Sequence, residues 1–412
     1  MKAHGCDSDS PGPVYNTPPP DAGIHTEATL LIWLLVFGVG AVLVRAGLAL
    51  RTAAAVRPAD VGDALLRAGA ETAAAILAFW AVGAPLLFGR QLNGFLAFDP
   101  TLIGSQAAES AGTEFFHAVL ATLGGAVVGG AIAGRARFHV SVVTSAVLGG
   151  VVFPVVGHVV WSGYLRRINV VDFGGATAIH LTAAVFAAVA VAMVGSRPGR
   201  YGAGEAVGEP PALDRTPLVG VSAALLVVGW LPYLMGSLVS HPTEINLMPT
   251  PADAARALAW TAMNTVLAGT GGTVGGLVYG RLRRGRAELP STCLGLLGAM
   301  VAITAGCVAV GNLGALMIGL IAGGLVPAAA GGMDRRARLD DPVGAVAVHG
   351  VGAVWGMLAA AAFAANQSTI AHFQLLAVQS LALAVTLTVS AVAAGVTFGV
   401  LRLVGPLRAV DR

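Results

Sequence analysis

The chain has 412 residues, 56% of them hydrophobic and only 11% charged, and a formal charge of +3. A soluble globular domain carries about 25% charged residues, so composition excludes a soluble protein and implies a polytopic membrane protein. The small positive charge is spread over loops and points to no nucleic-acid partner.

Residues 1–27 are Pro-rich and polar and lack the apolar core of a signal peptide, so they read as a disordered leader. A hydropathy window of about 19 residues then marks eleven spans: 28–50, 70–89, 113–134, 139–161, 173–194, 217–239, 256–279, 289–308, 311–331, 342–364 and 374–404. The last is longer than a crossing needs, so it tilts or protrudes. Gly is abundant, at 56 residues, and small residues let membrane helices approach closely. The Gly269–Gly276 run reads as helix packing, because it lacks the strand-to-helix context of a nucleotide fingerprint. Cys6, Cys293 and Cys307 show neither metal-ligand nor disulfide spacing.

Arginine sets orientation. Eighteen arginines lie in the loops after odd-numbered spans or at the C-terminal end. Only Arg90, Arg166, Arg167 and Arg256 lie in or beside the even-numbered loops, and Lys2 and Arg45 complete the 24 basic residues. The positive-inside rule then predicts an outside N-terminus and a cytoplasmic C-terminus. The leader 1–27 becomes extracellular, 28–404 the transmembrane domain, and 405–412 a short cytoplasmic tail.

One pattern occurs twice. Asp172 to His180 reads D-F-G-G-A-T-A-I-H, and Asp341 to His349 reads D-P-V-G-A-V-A-V-H. Each opens an apolar span, the fifth and the tenth. On a helix eight residues rise about 12 Å, and half a bilayer core is about 15 Å, so each His is expected near the midplane. A lone buried His is often a satisfied core residue. Two in matched positions favour function, since an ionisable group at that depth is costly. Five spans apart, the copies cross in opposite directions, which predicts an all-α fold with an inverted 5+5 repeat plus a final helix. Transporters use this architecture, and channels share it.

With these features, the chain resembles the ammonium transporter (Amt/Rh) family over about 28–404. The resemblance rests on VVDFGGATAIH (170–180), VAITAGC (301–307) and DDPVGAVAVHGVGAVWG (340–356). GHVVW (157–161), AGRARF (133–138), GWLPYLMGS (229–237) and the Asn-Thr of AMNTVLAG (262–269) add to it, in order. It implies a homotrimer in the plasma (inner) membrane with one narrow pore per subunit. It also implies conduction of ammonium, as ammonia with or without a relayed proton.

His180 and His349 match the paired pore histidines of that family. A neutral imidazole has one donor and one acceptor, so two in contact make a polar line through an apolar pore. Asp172 matches an acidic residue near the outer vestibule; as an N-cap it is expected to hold the vestibule's shape. Asp341 reads as a cap before Pro342. Trp161, Ser237 and Tyr233 match an outer recruitment site, where an aromatic face attracts a cation. Without the resemblance, Trp161 would be an interfacial aromatic and Ser237 a small packing residue. Asn264 and Thr265 are expected to bond between helices, Thr304 and Cys307 to sit at a tight helix contact, and His158 to be structural. His117 falls where the family often has Gln.

The sequence departs from the family at its gate. Leu120 and Tyr233 stand where two Phe rings usually stack, and Leu234 where Asn is usual. Pro232 predicts a kink, and span one carries Arg45, Leu48 and an Ala run in place of acidic and Asn-rich surroundings. The short tail makes contact with a PII-type regulator doubtful. No nucleophile–base set, metal cluster or phosphate loop is present in the sequence, so no enzyme and no cofactor are expected. Three readings stay open: an ammonium transporter, an ammonium sensor that conducts little, and a neutral gas pore of Rh type.

Overall fold

Within hydrocarbon only helices and closed barrels satisfy their own backbones, and this chain takes the helical solution. The structure, a computed structural model, describes residues 20–103, 108–201, 216–240, 251–365 and 368–409. The leader expected over 1–27 falls mainly on residues 1–19, outside the described residues, as does the end of the tail from 410 onward.

Eleven principal helices follow in order. They are α1 (Pro20–Ala54), α2 (Val61–Ala78, continued through a π turn at Phe79–Gly83 and Ala84–Phe88), α3 (Ala108–Ala131) and α4 (Phe138–Val147, a π turn at Leu148–Val152, then Phe153–Trp161). Next come α5 (Ala176–Val194), α6 (Thr216–Ser240), α7 (Pro251–Arg284), α8 (Leu289–Ile303), α9 (Asn312–Ala337), α10 (Val346–Ala362) and α11 (Thr369–Val404). Eight are long and apolar enough to cross a membrane; α8 and α10 are apolar but shorter. A small hairpin, Gln91–Asn93 with Leu96–Ala97, follows α2. Outward faces are apolar: Leu66, Val392 and Ile370 are all more than 60% exposed. Such a surface is a liability in water and a natural contact with lipid.

Close helix packing uses glycine. A Cβ on Gly319 of α9 would lie 2.0 Å from the Ala268 carbonyl oxygen of α7. On α7, Gly271 and Gly275 leave equally little room against the Leu316 and Leu320 carbonyls of α9. Gly229 lets α6 settle on the α1 backbone at Val44. Without water to squeeze out, van der Waals contact is what holds these helices together.

Three expected spans are shorter as helices, among them 342–364, which runs Val346–Ala362. The span predicted from 173 starts at Ala176, and the one predicted to 308 ends at Ile303. The two irregular stretches satisfy each other: Phe173 N–H donates to the Ala305 carbonyl at 3.1 Å, and Gly174 N–H to the Thr304 carbonyl at 3.0 Å. Side chains complete the accounting that an apolar interior demands. Asn264 Nδ2 of α7 donates to the Cys307 carbonyl at 2.8 Å and the Val310 carbonyl at 2.9 Å. Gln379 of α11 accepts from Val171 N–H at 3.0 Å and donates to the Val171 carbonyl at 2.7 Å. Gln379→Leu leaves that backbone pair orphaned. It is expected to cost about 1–3 kcal/mol, read as a lower Tm in thermal unfolding of the detergent-purified protein. An unchanged Tm would remove Gln379 from this account.

The loop ends on the Arg51 and Asp341 side form a charged lock. Asp340 accepts from Arg197 through backbone N (2.7 Å), Nε (2.9 Å) and Nη2 (2.6 Å). Arg135 donates to the Gly195 carbonyl at 2.7 Å and to the Asp340 carbonyl. The chain end joins it: Arg137 N–H donates to the Leu407 carbonyl at 2.9 Å, and Arg408 to the Ser196 carbonyl at 2.7 Å. Burial pushes the Asp340 carboxyl up, but the bonds from Arg197 outweigh it and hold the acid below its usual range. The sign follows from linkage. A depressed folded-state value gives stability that is complete above the unfolded value, near 4, and is lost as pH falls through the folded one. Tm is therefore expected to fall below about pH 4, and Asp340→Asn to flatten that limb. A variant with the same acid limb as the parent would contradict this.

Candidate functional site

The two Asp-to-His repeats fold alike. Gly175 (φ +80°) and Gly344 (φ +71°) both take left-handed backbone that a side chain resists. The preceding acid then caps the turn. Asp172 Oδ1 accepts from Ala176 N–H at 2.5 Å, and Oδ2 accepts from Thr177 N–H at 2.8 Å and from Thr177 Oγ1 at 2.5 Å. Asp341 accepts from Val346 N–H at 2.8 Å and Val343 N–H at 3.3 Å. Each helix then opens in a π turn, Ala176–Leu181 and Val346–Val351, and each turn carries its histidine. A π turn holds more residues per turn than the simple helix assumed for the 12 Å rise.

The structure brings the two histidines together. Nδ1 of His180 and Nδ1 of His349 lie 3.1 Å apart, with ring centroids 5.1 Å apart and planes 25° from parallel, the edge-to-edge approach that an in-plane N–H···N bond needs. Both rings are buried. Trp230 of α6 lies flat on the other side of His180, 5.3 Å away and 12° from parallel. Its Nε1 donates to Thr304 Oγ1 at 3.2 Å, so the unwound end of α8 orients the indole.

Tyr233 stands at the pair itself. Its ring meets His180 edge-on at 6.1 Å, and its hydroxyl bonds the Gly174 carbonyl and lies 3.3 Å from His180 Nε2. One proton order satisfies all of these contacts. The one hydroxyl proton goes to Gly174, so the tyrosine oxygen accepts from His180 Nε2–H. His180 Nδ1 is then an acceptor, and His349 must donate through Nδ1–H. That leaves the Nε2 lone pair of His349 as the pair's open acceptor. His349 lines a cavity of about 20 Å³, a volume that suits one small molecule, together with Arg51, Thr52, Trp230 and Val343.

The residues assigned to an outer recruitment site separate. Trp161 ends α4, partly exposed, and its Nε1 donates to the Asp172 carbonyl at 2.8 Å. His117 meets Trp161 edge-on at 5.8 Å, and Phe116 and Phe88 extend the aromatic group. A Cβ on Gly236 would strike Phe116, which brings the adjoining Ser237 stretch of α6 against this group. Ser237 is buried and its hydroxyl has no hydrogen-bond partner among the described residues. Tyr233 lies with the histidines instead. Leu120 is fully buried.

Trp230, Gln379 and Arg51 were not singled out from the sequence. Trp230 had a readable signal: with Tyr233 and Ser237 it forms an i, i+3, i+7 stripe on one face of α6. Gln379 was a polar residue inside a long apolar span, which usually marks a specific partner. Arg51 looked like any loop arginine.

A profile of the Ammonium Transporter Family matches residues 32–411. Ammonium transporter Amt2 of Archaeoglobus fulgidus is 30% identical over 349 residues, covering 81% of this chain and 71% of that protein. A solved structure described as a sensor Amt protein superposes with a TM-score of 0.86 at 26% identity, over 94% of this chain and 96% of that one. The Rh50 protein of Nitrosomonas europaea shares the fold, with a TM-score of 0.71 at 18% identity over 93% of this chain and 90% of that one.

Proposed function

Because the chain belongs to the ammonium transporter family, we propose that it recruits ammonium at an outer vestibule and passes ammonia through a pore lined by His180 and His349. One observation carries the reading: two imidazoles sharing a proton, Nδ1 to Nδ1 at 3.1 Å, in a buried and largely apolar interior. Ammonia crossing such an interior loses its water, at about 2–7 kcal/mol for an uncompensated polar group. The open acceptor on His349 offers it an N–H acceptor, and the fixed proton order keeps that acceptor available. Outside the pair, Trp161 offers an aromatic face to a cation and Ser237 an unused hydroxyl oxygen. Asp172 shapes this entrance through its cap and adds negative potential. We place the Trp161 end outside and the C-terminus in the cytoplasm, and we expect a homotrimer in the plasma membrane, in line with the arginine bias and the family.

A second reading has its own support. The sensor Amt protein is similar over almost the whole chain, and the Tyr233 hydroxyl bridges Gly174 and His180 where an open passage would run. A sensor would bind ammonium with little flux. Leu120, in place of an aromatic gate, suits the third reading, a neutral pore.

Cells that lack their own ammonium uptake separate these readings. Expression of this chain is expected to restore growth on low ammonium as the nitrogen source. Failure to rescue, from protein that reaches the membrane and binds ammonium in calorimetry, would favour the sensor.

A further inference from the structure

The pore proposed above ends, beyond His349, at a fixed positive charge. Arg51 lies in the last turn of α1 and lines the same small cavity as His349. Its Nε and Nη2 both donate to the Val343 carbonyl, at 3.2 and 2.9 Å. Those bonds pin the guanidinium against the stretch that leads into α10. They satisfy donors but neutralise nothing. Among the described residues Arg51 makes no ion pair. Asp341, two residues before that carbonyl, has its carboxylate engaged with Val343 N–H and Val346 N–H. Two other buried cations of this half are paired with acids, Arg45 with Glu71 at 3.3 Å and Arg197 with Asp340 at 2.6 Å, while Arg135 is held by the Gly195 and Asp340 carbonyls away from this cavity. Among the described residues that line this cavity, Arg51 carries the one fixed charge.

We propose that Arg51 is a charge filter, which opposes passage of ammonium as a cation and leaves neutral ammonia unhindered at the inner end of the pore. Arginine stays protonated in proteins. A cation sharing its cavity would meet repulsion that low-dielectric walls concentrate. An arginine serves to exclude cations from other narrow pores on the same principle. Neutral ammonia feels only a weak dipole term. The bland alternative is that Arg51 merely caps the Val343 carbonyl, and a change that keeps the cap but removes the charge separates the two.

This inference rests on the transport reading, and its test reports on both. Proteoliposomes are pulsed with ammonium chloride while charge movement and internal alkalinisation are recorded together. Arg51→Gln keeps an N–H donor for Val343 and removes the charge; Arg51→Lys keeps the charge. Thr52→Glu, from the same cavity lining, adds a neutralising carboxylate with Arg51 intact, and serves if Arg51→Gln fails to assemble. The expected result is that Arg51→Gln and Thr52→Glu raise the charge moved per ammonia delivered at least about tenfold, while Arg51→Lys matches the parent. An equal ratio in all four proteins, with clear alkalinisation, overturns the filter alone. No alkalinisation in any of them overturns the transport reading and the filter with it.

Discussion

His180→Ala is expected to cut ammonia flux by about 100-fold, close to 3 kcal/mol at the barrier, in protein that still inserts and assembles. The size follows from what His180 touches. Its Nδ1 receives the Nδ1–H of His349, its Nε2–H serves the Tyr233 oxygen, and its ring lies nearly parallel to that of Trp230. Alanine removes the middle of that polar line. It frees His349 to turn, so the open acceptor is no longer aimed, and it leaves Trp230 beside an apolar gap. Each lost hydrogen-bond partner costs about 1–3 kcal/mol in a buried interior. Flux is read as vesicle alkalinisation, and assembly by size-exclusion chromatography. Full flux from an assembled variant would mean that ammonia takes another path.

Asp172→Asn is expected to be nearly as damaging, by a different route. The carboxylate accepts three bonds, one at Oδ1 and two at Oδ2. An asparagine has one acceptor oxygen, and whichever way the amide is turned its NH2 faces a backbone N–H. At least one buried donor is left unsatisfied and faces the amide's own N–H, so about 1–3 kcal/mol of stability is lost. The π turn that carries His180 is anchored by those bonds, so flux falls with stability. Asp172→Ala orphans all three donors and is expected to be worse. Thermal unfolding and flux on the same preparations check both variants. An Asn variant with the parent's Tm and flux would show that the cap is dispensable and that only its shape matters.

Much of the fold was legible because the membrane simplifies it. A span read as 139–161 is the helix Phe138–Trp161, and one read as 217–239 is Thr216–Ser240. Hydropathy works here because backbone groups in lipid have few alternatives to helix. It failed where protein replaces lipid around the backbone. The stretches 171–175 and 304–310 are largely apolar, yet each gives up helical bonds for partners on the other, on Asn264 or on Gln379. Such cross-chain accounting leaves no periodic trace in a single sequence. The π turns are invisible for the same reason.

The site was legible in part. The repeat pointed to His180 and His349, and the resemblance supplied Trp161, Ser237, Tyr233 and Leu120. Composition could not say that Tyr233 bonds Gly174 and thereby orders the protons of the pair, because that depends on one hydroxyl reaching one carbonyl across two helices. Arg51 was hidden by its position. Counted with the basic residues that set orientation, it turns inward at the last turn of α1 instead of out toward lipid headgroups.

The central claim is that the histidine pair forms the ammonia path. Its most direct test is a solid-supported-membrane and alkalinisation recording on proteoliposomes of the parent protein during an ammonium pulse, with His180→Ala run beside it. The account predicts saturable ammonia entry above empty vesicles in the parent, lost in the variant. Equal entry in both, or no entry from assembled parent protein that still binds ammonium, would contradict it.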